Sequence, residues 1–193
     1  MSTLTLRTDE SVAFQLRSTR DFRMAQTSSG PKYGQSTESA LVKTWLAVAV
    51  TDALFASATG MFIPPVATPA RVFRGVASVL LGKSALDGGA TTAFIGLAMH
   101  FGVALFWATL FVLAVRNAPW VRESLETWPR TLLLATIYGV SIWLIMTWIV
   151  IPSMLHRPPT LSTKYWVQLV GHIPFVVGPM ILVNRRKAQS WRA

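Results

Sequence analysis

The chain has 193 residues, 52% of them hydrophobic and only 13% charged, with a mean hydropathy of +0.45, too apolar for an ordinary soluble domain of this size. Its net charge of +10 is distributed as membrane topology and affinity for anionic lipid heads require, which argues against nucleic acid as a partner. With no cysteine, disulfides and thiolate chemistry are excluded.

Residues 1–40 read as a cytoplasmic tail. They hold no apolar core of signal-peptide length, so cleavage as a signal peptide is not expected. Their Arg, Ser and Thr content is faintly that of an organellar transit peptide, and Asp9, Glu10 and Asp21 argue against it. Thr8 is placed to cap a short helix with Asp9 and Glu10 in its first turn and Val12, Ala13 and Leu16 as a thin apolar stripe. Alone, such a segment buries too little surface to offset its ordering entropy. The tail is therefore expected to order only against a partner, as a docking segment.

A membrane domain follows over 41–184. Crossing about 30 Å of hydrocarbon takes roughly 20 apolar residues as a helix. Four segments qualify: 42–63, 90–115, 131–151 and 165–184. The second has no charged residue between Asp87 and Arg116, and the third none between Arg130 and Arg157. The first carries Asp52; the fourth carries Gln168, His172, Pro174 and Pro179. Between the first two spans, Thr68 as cap, Pro69 at the first helical position and Gly82 at the stop delimit a helix over 69–82. Val72, Phe73, Val76, Val79 and Leu80 share one face, while Arg71, Arg74 and Ser78 point elsewhere. At about 20 Å it is too short to span, so an interfacial amphipathic helix is expected, as a connector, a lid or a docking surface. Trp45, Trp148, Tyr165 and Trp166 sit near span ends as interfacial anchors. Residues 185–193 form a basic C-terminus.

If both termini share a side, that side carries 13 of the 18 basic residues. The positive-inside rule then places both termini in the cytoplasm of a multi-pass protein of the bacterial inner membrane. Arg71, Arg74, Arg185, Arg186 and Lys187 are expected to meet lipid head groups or partner subunits.

Ionisable groups inside the membrane are costly there, and so mark candidate sites. Asp52, His100 and His172 fall at nearly one depth. Gly96, His100, Ala104 and Ala108 recur every four residues, as do Asp52, Ala56 and Gly60, with Ala49 close by. Small-residue stripes let helices approach closely, so the first two spans are expected to meet there, with Asp52 facing His100 and with Gln168 and His172 extending the cluster. Four uses are open. The cluster is interhelical glue, or it handles protons, or His100 is an axial ligand to haem or a chlorophyll-type pigment with Gly96 leaving room for the macrocycle, or two histidines and an aspartate hold a metal. No other cofactor is expected beyond bound lipid. No Gly-rich phosphate loop, zinc-protease helix or Gly-x-Ser-x-Gly elbow is present, and His156 lies in a loop, so no enzyme is expected.

The order "TDALFA", "PARVFRGVASVLLGKSALDGGATTAFIGLAMHFGVALFW", "ATIYGVSIWLIMTWIVIP" and "GHIPFVVGP" resembles a family of small, functionally uncharacterised four-span bacterial inner-membrane proteins, over about residues 45–184. The resemblance implies the four-span fold and polar groups at Asp52, His100 and His172, and no activity. The long tail departs from it. The expectation is an all-α integral membrane protein: a four-transmembrane-helix bundle with a short interfacial amphipathic helix between the first two spans. It would serve as a non-catalytic accessory subunit at the edge of an energy-converting complex, photosynthetic or respiratory, with Trp107, Trp143 and Trp148 available for lateral packing. The alternative is a small proton-coupled transporter or channel-like protein using Asp52 and His100.

Overall fold

The computed structural model describes residues 32–156 and 158–190; the side chains of residues 32–36, 186, 187, 189 and 190 are not among those described, and the expected tail helix near Thr8 lies outside the described residues. The chain divides into two units, Met1–Glu38 and Ser39–Ala193. Every secondary-structure element among the described residues is helical: α1 (Lys32–Phe62), α2 (Pro69–Leu81), a 3-10 turn (Lys83–Asp87), α3 (Gly89–Asn117), α4 (Pro119–Ser124), α5 (Trp128–Leu144), α6 (Ile151–Leu155), α7 (Thr163–Gly171) and α8 (Gly178–Ser190). A π-helical segment, Ile145–Val150, joins α5 to α6, and another, His172–Val177, joins α7 to α8.

Four stretches are long and apolar enough to cross a membrane: Thr37–Phe62, Gly89–Asn117, Trp128–Leu155 and Thr163–Arg185. They fit a multi-pass membrane protein. The last three run past the expected bounds of their spans at both ends; the first starts earlier, at Thr37, and ends one residue short, at Phe62, and α1 starts well before the expected domain boundary at 41. Apolarity marks the hydrocarbon-length part of a helix, whereas backbone hydrogen bonding continues through Thr37, Glu38 and Ser39 into polar sequence.

The π segments follow from proline chemistry. Pro152 and Pro174 bring no amide hydrogen, so the carbonyls four residues earlier, of Trp148 and Val170, lose their helical donor. The backbone widens nearby: the Ile151 N–H reaches back five residues to Met146 O, and the Gly178 N–H reaches Ile173 O. Pro179 deprives the Phe175 carbonyl in the same way. The Thr51 hydroxyl of α1 lies 2.7 Å from that carbonyl, as near as it lies to Ala47 O of its own helix. A break in the fourth span thus becomes a bond to the first.

The core lies where α3, α4 and α8 converge with the first half of the first span: Val48, Phe111, Val115, Val121, Leu125, Val177 and Met180 are each at most 2% exposed. The Tyr138 hydroxyl donates to Trp107 O at 2.9 Å, and the Arg122 guanidinium donates to the Val115 and Arg116 carbonyls at the C-terminal end of α3, where a cation is favoured. Trp107 and Trp143 are 8% and 3% exposed, so both belong to the bundle and not to a lateral surface; Trp148, at 50%, faces outward. Spacing marks these aromatics as membrane residues without indicating which side of a helix its neighbours cover.

Candidate functional site

Helix α2 decides the surroundings of the predicted polar pair. It forms where expected: the Thr68 side chain accepts from the Arg71 N–H at 3.3 Å, Pro69 opens the helix, and Gly82 closes it at φ 77°. Its contacts differ from the expected ones. Phe73, Ala77 and Ser78 are its buried residues, while Leu80 is 60% exposed. A Cβ on Gly96 would lie 1.8 Å from the Phe73 carbonyl oxygen and 3.0 Å from the Ala77 nitrogen, so the two backbones touch where only glycine fits. On the other side, a Cβ on Gly60 would lie 2.4 Å from Val72 Cγ2, and the Ala67 N–H donates to Gly60 O at 2.8 Å. The helix also packs against α6, at the end of the third span. Lys164, at the start of the fourth, donates to the Pro65 carbonyl just before α2. The 60–82 region therefore contacts all four long helices at their loop ends.

The ends of both small-residue stripes, Gly60 and Gly96, thus receive α2 where the first two spans are expected to meet. A four-residue stripe of small side chains permits a close backbone and does not name which one. Deeper in, the first two spans do touch. Trp45 Nε1 donates to Phe101 O at 2.8 Å with the rings 6.4 Å apart, and His100 Nε2 lies 3.5 Å from Asp52 Oδ2. The pair is largely enclosed, at 13% and 19% side-chain exposure, with the Phe73 ring edge-on to the imidazole at 5.9 Å. Its geometry is that of an ion-pair contact: His100 Nε2 is buried with no hydrogen-bond partner.

The expected extension of the pair does not form. His172 Nδ1 sits 2.6 Å from the Gln168 carbonyl one turn earlier in its own segment, and among the described residues no hydrogen bond or ion pair joins it to Asp52 or His100. No group of three or more His, Cys, Asp and Glu side chains among the described residues is placed to hold a metal ion. His100 does not fit an axial position on haem or a chlorophyll-type pigment. The space above Gly96 is filled by the backbone of α2, and Nε2 faces a carboxylate.

Gln168 instead lines a cleft of about 260 Å³ between the third and fourth spans, together with Thr147, Ile151, Leu155, Lys164 and Tyr165. Of the cations expected at lipid heads, Arg71 is exposed, and Arg74 buries its Nε without a partner. Arg185 turns back onto the chain: Nη2 donates to Glu126 O at 3.2 Å, and the guanidinium lies 4.4 Å over the Trp128 ring. The side chains of Arg186 and Lys187 lie outside the described set. Among the expected anchors, Trp45 and Tyr165 are packed inside, with Trp148 Nε1 donating to the Tyr165 hydroxyl at 3.0 Å and the Trp143 ring 4.4 Å from it. Trp166 is 57% exposed.

The spacing rules miss a further polar contact. Asn184 is fully buried and donates through Nδ2 to Thr44 Oγ1 and to Met180 O, both at 2.8 Å, while Thr44 donates to Ala40 O at 2.7 Å. An asparagine beside the basic C-terminus looks like the start of the polar tail; only its register with Met180 and Val177 signals the core. Compared with protein-family models, curated proteins and solved structures, the chain matches none.

Proposed function

We propose that the chain is a non-catalytic membrane subunit, with four spans and both termini cytoplasmic. It packs laterally in a larger inner-membrane assembly of the energy-converting kind, photosynthetic or respiratory. The carrying observation is how little of each span the chain covers by itself: 22%, 33%, 28% and 28% of the four apolar windows are buried. Large side chains such as Phe94, Leu182, Leu54 and Val170 stand 73%, 71%, 65% and 64% exposed along the spans. In a bilayer, lateral association rests on packing and interhelical hydrogen bonds, and such faces offer area for the packing. The inward polar groups support the same reading, because Trp45, Thr51, Tyr138 and Asn184 each bond across helices within the chain. Extraction in mild detergent, followed by native gel electrophoresis and size-exclusion chromatography, tests this. Co-migration with a larger membrane complex is expected, and a chain that runs only as a free monomer overturns the proposal.

A second reading rests on the Asp52–His100 contact, a carboxylate and an imidazole 3.5 Å apart at mid-span depth. In it the chain is a small proton-coupled transporter. Wild-type protein in proteoliposomes would then carry a pH-driven flux that Asp52→Asn abolishes; no flux from the wild type removes this reading.

A further inference from the structure

The exposed tryptophans among the described residues fall on two levels. Trp120 and Trp128 flank the connection into the third span, and Trp148 stands 20 residues beyond Trp128, about 30 Å along the helix. In the fourth span, Trp166 and Arg185 are 19 residues apart, about 28 Å. The two helices are tied at both levels. The Arg185 guanidinium lies over the Trp128 ring, and Tyr165, the neighbour of Trp166, accepts from Trp148 Nε1. No Asp, Glu, Lys or Arg occurs between Arg130 and Arg157 or between Lys164 and Arg185. A charge-free band of about 30 Å edged by tryptophan has the thickness and the borders of bilayer hydrocarbon.

Helix α2 sits at the Trp148 and Trp166 level. It packs against α6, which begins three residues beyond Trp148, and Lys164, two residues before Trp166, donates to Pro65 O at its approach. Gly96, which meets its backbone, is 20 residues from Arg116, again about 30 Å. The Phe73 ring meets His100, one turn deeper than Gly96, so the Phe73 side of α2 points toward the middle of the bundle. Leu80 comes seven residues later, about 20° around the helix from Phe73. Phe73 is 8% exposed and Leu80 60%, with Leu81 at 44%. One side of α2 is thus covered by the bundle at its start and bare at its end, because the helix overhangs the bundle edge. Arg71, about 160° from Phe73, is exposed on the far side, and Lys83 is exposed just past the helix. Apolar side chains beneath and cations above match the border between acyl chains and phosphates. We propose that the overhanging end of α2 is a lipid-contact surface: Leu80 and Leu81 enter the acyl border of the leaflet at that level, and Arg71 and Lys83 meet its phosphates. The proposal rests on the four-span part of the function proposed above and not on the partner complex.

The chain has no cysteine, so spin labels can be placed on single introduced ones. Full-length Arg71→Cys, Leu80→Cys and Ile137→Cys, the last exposed about midway between Trp128 and Trp148, are reconstituted into vesicles of phosphatidylethanolamine and phosphatidylglycerol and floated. Collision with oxygen, which concentrates in hydrocarbon, and with an aqueous nickel chelate reports the depth of each label. The ratio of oxygen to nickel collisions should rise severalfold from Arg71 to Leu80, and again from Leu80 to Ile137. Leu81→Cys should repeat the Leu80 result and replaces it if that variant does not fold. A ratio at Leu80 equal to that at Arg71 puts this end of α2 in water, and one equal to that at Ile137 puts it in the hydrocarbon centre. Shielding of Leu80 from both reagents means that protein covers it. Each of these three outcomes overturns the proposal while leaving the four spans standing. Wild-type chain that does not float with the vesicles overturns the four-span reading itself, and the proposal with it.

Discussion

Two regions of the bundle hold helices together by different physics. Around α2, the contacts are steric: Gly96 admits the backbone of Phe73 and Ala77, and Gly60 admits Val72. Between the first and fourth spans, hydrogen bonds join the helices, from Thr51 to the carbonyl that Pro179 leaves without a donor and from Asn184 to Thr44. In a bilayer, where apolar surface gains little by leaving lipid for a neighbouring helix, these are the two means left for specifying a contact. The steric kind tolerates no added atom against backbone. The polar kind tolerates many changes of shape, because each bond contributes little net free energy.

Gly96→Leu breaks the comparison hardest. Its Cβ alone would sit 1.8 Å from a carbonyl oxygen that cannot rotate away, so α2 must leave its seat at a cost of about 3 kcal/mol or more. Gly102, six residues on, meets nothing within 4 Å, and Gly102→Ala should be neutral or stabilising by up to about 1 kcal/mol through helix propensity. Equilibrium unfolding in mixed micelles measures both. Equal effects at the two glycines would mean that α2 does not seat on Gly96.

Asn184→Ala tests the polar side of the comparison. It removes a donor from a fully buried contact but leaves Thr44 still bonded to Ala40, so no partner is stranded. The expected loss is about 1–2 kcal/mol, a modest hydrogen-bond contribution plus the small cavity. A loss as large as that of Gly96→Leu would show that the two regions do not differ in kind.

The sequence is most informative where a single physical rule acts. Length and apolarity place four helices long and apolar enough to cross a membrane, and Thr68, Pro69 and Gly82 place α2, because a run of apolar residues and helix capping are both local properties. The depth and spacing of Asp52 and His100 put them opposite one another, and they stand 3.5 Å apart. What spacing leaves open is which neighbour covers a stripe. Gly96 and Gly60 mark close approach, and the occupant is α2 because its chain returns between the two helices it connects. His172 shares depth with the pair yet bonds to the Gln168 carbonyl of its own segment, since depth fixes one coordinate of three.

The smallest expected effect belongs to Asp52→Asn. The contact it alters is at ion-pair distance without hydrogen-bond geometry, and asparagine keeps the volume and two polar atoms. As interhelical glue the pair contributes little, so the variant should cost under about 1 kcal/mol. A double-mutant cycle with His100→Gln isolates the pairwise part, since each single change leaves the Trp45 to Phe101 contact between the same helices intact. Coupling of a few tenths of a kcal/mol up to about 1 kcal/mol fits glue. Coupling of zero removes the structural reading of the pair.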